Sequence, residues 1–138
     1  MSDFILPVQE QPLLPRKRDF GIGIVGAGGI VNYAHLPAYR QAGFRVVGIT
    51  DLDLHRANET AKAHGISRIY RNLEELLADP EIAIVDVAVF PQEQLRIVRQ
   101  AAAAGKHMLC QKPLAYSYGE AVQAVEAARV ARVKLAVN

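Results

Sequence analysis

The residues best suited to chemistry lie at the end of an apolar run, Phe20-Gly-Ile-Gly-Ile-Val-Gly-Ala-Gly-Gly-Ile-Val-Asn32. Gly26 lets the chain turn sharply. After Ala27, Gly28 leaves no Cβ between the backbone and an approaching anion. The N–H groups of Gly29, Ile30 and Val31 then open a helix whose dipole favours negative charge. Val31 stands where Gly or Ala is usual in this fingerprint, so the helix is expected slightly further from the sheet. Asp51 closes the next apolar run about twenty residues on. A glycine turn, a helix N-terminus and then a carboxylate make the geometry of a dinucleotide site. A methyltransferase also uses a glycine turn and an acid ending the second strand, so these features alone leave two readings open.

The second constellation is Ala104-Gly-Lys-His-Met-Leu-Cys-Gln-Lys-Pro-Leu-Ala115. Gln111-Lys112-Pro113 is expected just outside the carboxyl end of the fifth strand, on the same edge as the glycine turn. A partly desolvated lysine there is a candidate for proton transfer, with Pro113 fixing the backbone so that Lys112 points inward. Methyl transfer asks for no such lysine. His55, His64 and His107 lack metal-ligand spacing with one another or with Cys110, so no metal is expected. Cys110 reads as a small buried apolar group, and Arg96 and Arg99 as a solvated helix face. His35 is either a packing or capping residue or a contact near the cofactor. Tyr116 and Tyr118 are loop tyrosines within reach of a substrate.

The elements that must position these residues follow from apolar periodicity and breakers. Strands are expected at about Phe20–Val25, Arg45–Thr50, Ile66–Tyr70, Ala83–Phe90, His107–Cys110 and Val133–Val137. The first helix is expected to break near His35-Leu36, because Pro37 cannot donate to the turn before it, and to resume and end at Gly43. Asp53 caps a helix reaching His64, with Gly65 as its stop, and Asn72 with Glu75 caps a short one ended by Asp79-Pro80. A helix over about Gln92–Ala104 buries Leu95, Val98 and Ala102. Ser117 and Glu120 form a capping box for a last helix with the apolar stripe Ala121, Ala124, Val125 and Ala128. Alternating strands and helices give an α/β Rossmann fold, a doubly wound parallel sheet in the order 3-2-1-4-5-6 with helices on both faces. Met1–Asp19, with Pro7, Pro12 and Pro15, reads as an arm that is loosely draped, or packs Phe4, Ile5, Leu6, Leu13 and Leu14 on a neighbouring subunit.

Composition excludes other classes. Of 138 residues, 51% are hydrophobic and 22% charged, the balance of a globular protein with a sizeable core. Sixteen scattered basic residues face fourteen acidic ones, which gives no footprint for nucleic acid. The single cysteine excludes an internal disulfide framework. No apolar run approaches the ~20 residues of a membrane span, and the N-terminus lacks a signal-peptide pattern. The expectation is cytoplasmic, without a membrane partner.

The chain resembles the N-terminal domain of the glucose–fructose oxidoreductase / inositol dehydrogenase / MocA (Gfo/Idh/MocA) family. The resemblance rests on Gly26-Ala-Gly-Gly29, His35-Leu-Pro37, Asp51 with Arg56-Ala57, Asn72-x-x-Glu-Glu-Leu-Leu77, Ala104-Gly-Lys-His107 and Gln111-Lys-Pro-Leu-Ala115, from about Phe20 to Asn138. It implies an NAD(P)-dependent oxidoreductase acting on a sugar, polyol or related hydroxyl compound. Gly26, Gly28, Gly29 and Ile30 would hold the pyrophosphate, with Ala27 beside them among the cofactor-binding residues. Asp51 would accept ribose hydroxyls and favour NAD, with Arg56 leaving NADP possible. Val89, Phe90, Pro91, Gln94, Gln111 and Lys112 would line the nicotinamide side, and Lys112 would also assist proton transfer. The family usually carries Glu where this chain has Gln111, and often His where it has Gln94. It also implies a following substrate domain absent from this chain, a homo-oligomer, and little turnover by the present residues alone. Members that bind the dinucleotide only as sensors or regulators supply the alternative reading.

Overall fold

The computed structural model describes residues 14–138. Residues 1–13, most of the expected arm and its apolar contacts except Leu14, lie outside the described residues. Leu14–Asp19 carries neither helix nor strand, and Arg18 donates to the Ala42 carbonyl at 2.9 Å.

Six parallel strands form one sheet in the order β3-β2-β1-β4-β5-β6. They are β1 (Gly21–Val25), β2 (Arg45–Thr50), β3 (Arg68–Ile69), β4 (Ile82–Val87), β5 (His107–Cys110) and β6 (Leu135–Val137). Between them run α1 (Leu36–Ala42), α2 (Leu54–His64), α3 (Leu73–Ala78), α4 (Pro91–Ala103) and α5 (Tyr118–Val130). This is the expected order, and its reversal between β1 and β4 opens a crevice at the carboxyl edge.

Local chemistry explains most boundaries. Asp53 accepts from the His55 and Arg56 N–H groups at the start of α2, and Asn72 accepts from Glu75 at the start of α3. Ser117 accepts from Glu120 N–H at 3.2 Å and donates to its carboxylate at 3.1 Å. Helices α1 and α2 end on Gly43 and Gly65 in the left-handed region. Side chains alternate across β4, so Val85 and Val87 join the core beneath α3, α4 and α5. A second core, with Ile24, Val31, Leu36, Ile49 and Ala61, lies beneath α1 and α2.

Four expectations change. The helix after the glycine turn does not break before Pro37. It widens into a π turn over Val31–His35, and the Leu36 N–H reaches back to the Val31 carbonyl. The extra residue accommodates a ring that has no N–H to give and would crowd the preceding turn. Strands β3, β4 and β6 are shorter than expected: Ile66 before β3 and Val133 before β6 pack on the cores with their N–H groups bonded to the preceding helices, and Phe90 beyond β4 is exposed. Helix α4 starts on Pro91, whose missing N–H costs nothing in a first turn. Val125 is 53% exposed, so the buried stripe of α5 is Ala124 and Ala128.

Candidate functional site

The site is built at the carboxyl edge of β1, β2, β4 and β5. Gly26 has φ +106°, and a Cβ there would lie 2.4 Å from the Ala88 carbonyl oxygen. Only glycine meets both conditions. A Cβ on Gly28, in contrast, meets nothing within 4 Å, so the backbone there faces open space. Gly29 and Ile30 follow as the exposed first helical residues, with Val31 buried behind them.

Asp51 does not merely end β2. Its Oδ2 accepts from the Ala27 N–H at 2.7 Å, and its Oδ1 accepts from Asp53 N–H at 2.8 Å and from Arg56 at 3.3 Å. The Ala27 N–H is thus already bonded to Asp51, and its methyl is buried. Asn32 is a further organiser that the sequence reading passed over. Its amide donates to the carbonyls of Ala27 (3.1 Å) and Gly28 (3.0 Å) and to the Thr60 hydroxyl (3.1 Å). An Asn one turn beyond a glycine loop was the available signal. Leu52, beside Asp51, is 93% exposed and so lies open on the same rim.

On the other side of the crevice, Ala88 N–H bonds to the Val25 carbonyl, and Gln111 N–H to the Val87 carbonyl. These bonds bring the loop after β4 and the lysine loop to the same edge as the glycine turn. Phe90 is 76% exposed there, with Val89 and Pro91 half-buried beside it. Gln94 is not on this surface. It is fully buried, and its amide donates to the carbonyls of Gln111 (2.8 Å) and Pro113 (3.0 Å), so it holds the lysine loop from behind. One turn into α4, it faces β5 and not the crevice. Lys112 is exposed instead of partly desolvated, and the Lys112–Pro113 peptide is cis.

His35 resolves into a packing residue with a defined partner. Its Nδ1 lies 2.7 Å from Oδ2 of Asp86, a fully buried carboxylate on β4 that also accepts from the Tyr39 hydroxyl at 2.8 Å. Alternation along β4 aims Asp86 away from Val85 and Val87 and toward α1. The hydrogen bond from Asp86, opposed by burial, raises the His35 pKa above its ordinary value. Burial and the same carboxylate raise the Tyr39 phenol, and they push the Cys110 thiol up to about 12. Cys110 is thus an inert buried thiol, as expected. Arg96 pairs with Glu93 and Arg99 with Gln123 on the surface, while Tyr116 and Tyr118 are exposed, Tyr118 as the first residue of α5. Among the described residues no group of three His, Cys, Asp or Glu side chains could hold a metal, and no helix is long and apolar enough to cross a membrane.

The switch-point crevice, the glycine turn and an anchored acid at the end of β2 define a dinucleotide-binding Rossmann domain. The chain belongs to the Gfo/Idh/MocA oxidoreductase family, whose NAD-binding Rossmann fold matches residues 20–138. It is 34% identical over 116 residues to a 1,5-anhydro-D-fructose reductase of Ensifer adhaerens, covering 84% of this chain and 35% of that protein. With a trans-1,2-dihydrobenzene-1,2-diol dehydrogenase of Danio rerio it shares 38% identity over 112 residues, 78% of this chain and 33% of that one. The solved structure of GenD2 from gentamicin A biosynthesis, in complex with NAD, superposes with a TM-score of 0.81 at 30% identity, covering 91% of this chain and 37% of that one. The chain spans about a third of the length of the curated relatives it matches.

Proposed function

We propose that this chain is the cofactor-binding part of an oxidoreductase that moves hydride between a nicotinamide dinucleotide and a sugar, polyol or related hydroxyl compound. The reading is carried by one observation above all: an open glycine cradle whose neighbouring residue, Ala27, is hydrogen-bonded to the acid that ends β2. These residues fit a dinucleotide. Gly26 shapes the turn, while the backbone at Gly28, Gly29 and Ile30 offers N–H groups to a pyrophosphate at a helix start. Asp51, its carboxylate held by three donors, accepts ribose hydroxyls with its remaining lone pairs. Its charge disfavours a 2′-phosphate, so NAD is preferred, although Arg56 keeps NADP within range. Leu52 offers an apolar surface for the flat adenine base.

When bound, the nicotinamide supplies the hydride acceptor or donor. The chain's own contribution on that side is to bind and orient. Val89, Phe90 and Pro91 offer an apolar wall, and Gln111 has an amide for polar contact. Lys112 passes a proton to or from the substrate hydroxyl as the carbon is reduced or oxidised. The names of the reductase and dehydrogenase relatives support a sugar-like or diol substrate.

The test is a calorimetric titration of the 138-residue chain with NAD, NADP and S-adenosylmethionine. NAD binding tighter than NADP, with no heat from S-adenosylmethionine, is expected; a preference for S-adenosylmethionine would overturn the reading. Lys112→Met should leave NAD affinity within about twofold, since an exposed point charge at the far side of the crevice contributes little to binding. Turnover of a hydroxyl substrate by the protein carrying this domain should fall by orders of magnitude. NAD binding without any turnover by the protein carrying this domain would favour the sensor alternative.

A further inference from the structure

We propose that His35 is a positioning residue for the lysine loop, and that its Nε2 makes the hold on Lys112 dependent on His35 protonation. This inference rests on the reading of Lys112 as a working residue, but its geometry is independent of any cofactor.

The chain of contacts is continuous. With its Nδ1 proton directed at Asp86 Oδ2 (2.7 Å), His35 presents the Nε2 lone pair on its other side. The Gln111 amide nitrogen lies 2.9 Å from that Nε2, and the Gln111 Oε1 accepts from the Lys112 backbone N–H at 3.1 Å. A second amide, Nδ2 of Asn138 just past β6, lies 3.1 Å from the same ring nitrogen. His35 is 6% exposed and Asp86 is fully buried, so water does not compete freely for these groups. The Gln111 amide is fixed from both ends: its oxygen is claimed by Lys112, which leaves its NH2 for the ring.

Protonation of His35 at Nε2 removes the acceptor. The imidazolium N–H then faces an NH2 group, and the contact is restored only if Gln111 turns its oxygen toward the ring. That rotation takes the oxygen away from Lys112 and puts NH2 against the Lys112 N–H, two donors facing each other. The two sides of His35 therefore pull in opposite senses. Asp86 favours the charged ring, and the two amides favour the neutral one. The titratable groups packed around this arrangement are Asp86 from β4, Tyr39 from the helix of His35 itself, and Cys110 from β5 beside Asp86; the phenol and thiol stay neutral near pH 7 because burial and Asp86 raise both. A carboxylate at 111 would instead demand a protonated His35, so the glutamine and the neutral ring are matched to each other.

The test uses the 138-residue chain without any cofactor. The His35 ring and the Lys112 backbone amide are followed by NMR between about pH 5 and about pH 9. The expected result is one shared midpoint, with the protection of the Lys112 amide, its rate taken relative to the base-catalysed rate of a free amide at each pH, falling roughly fivefold to tenfold on the acid side. His35→Gln, which places an uncharged acceptor near the Nε2 position, should keep the slow exchange and lose the inflection. A Lys112 protection that is flat across this range overturns the proposal, as does a midpoint different from that of His35. An inflection that survives His35→Gln overturns it too. The wild-type titration stands even if a variant misfolds. Because no dinucleotide is present, failure of this coupling and failure of NAD binding are separate results.

Discussion

Asp51 Oδ2 accepts the backbone N–H of Ala27 at 2.7 Å, so the acid at the end of β2 is tied to the turn at the end of β1. One carboxylate thereby shapes the glycine turn, and in the proposed function it also meets a ribose. The two duties can be separated by substitution. Asp51→Ala is expected to weaken NAD binding by roughly tenfold or more, the loss of a charge-assisted hydrogen bond, and NADP binding by less. Asp51→Asn keeps an acceptor for Ala27 and so should hold the turn while reducing the preference for NAD. Calorimetry with both cofactors checks this. Equal losses for NAD and NADP would remove the ribose contact from the account.

Gly26 and Gly28 stand two residues apart and predict opposite phenotypes. Gly26→Ala forces a side chain into a positive φ and against the Ala88 carbonyl, so unfolding free energy should fall by about 2–4 kcal/mol. Gly28→Ala meets open space in the protein, so its melting temperature should stay near wild type while its methyl intrudes on the pyrophosphate. Thermal melts read with and without NAD distinguish the two. A destabilised Gly28→Ala would show that the cradle is filled by the protein itself.

Gln94 should prove a residue of stability and not of cofactor contact. Gln94→Leu leaves the Gln111 and Pro113 carbonyls without their donor, at a cost of about 1–3 kcal/mol, offset in part because the buried Gln94 Oε1 has no partner to lose. Urea unfolding gives the number directly. Unchanged stability with a lost NAD site would reverse this assignment.

The amino edge of the sheet predicts the acid limit of the domain. The Tyr70 hydroxyl, with smaller help from Arg68, holds Asp79 below the ordinary carboxylate range, and Arg45 with Arg68 holds Glu81 below it. Groups with depressed folded pKa values contribute stability above their unfolded values and lose it as pH falls through the folded ones. Stability should therefore be level near neutrality and decline below about pH 4. Arg68→Leu should make that decline shallower. A decline of unchanged steepness in the variant would locate the acid sensitivity elsewhere.

The fold was legible because local signals agreed with one another. Asp53, Asn72 and Ser117 announce helix starts, Gly43 and Gly65 announce ends, and β2 and β5 have the limits their apolar runs imply. What stayed hidden was direction. Period-two alternation says that Asp86 points opposite to Val85, but nothing local says that His35, 51 residues earlier, waits there. A lone acid within the apolar run of β4 was nonetheless a legible demand for a partner. Gln94 is a second case: the resemblance puts it on the nicotinamide side, whereas helix phase decides which side of α4 it occupies. At Ala27 the glycine fingerprint identified the turn and not the owner of each N–H.

The π turn at Val31–His35 adds one residue to a helix that otherwise obeys the ordinary repeat. Were the same residues wound with the ordinary repeat throughout, everything downstream would swing by about 100°. His35, Leu36 and Tyr39 could not then all keep their places, because Asp86 and the second core approach from a fixed sheet. Between the glycine turn and Pro37 the domain thus specifies a helical phase as well as a composition. Loss of one residue inside the turn is absorbed by a return to the ordinary repeat, whereas one gained or lost elsewhere in the helix turns His35 or Tyr39 off Asp86.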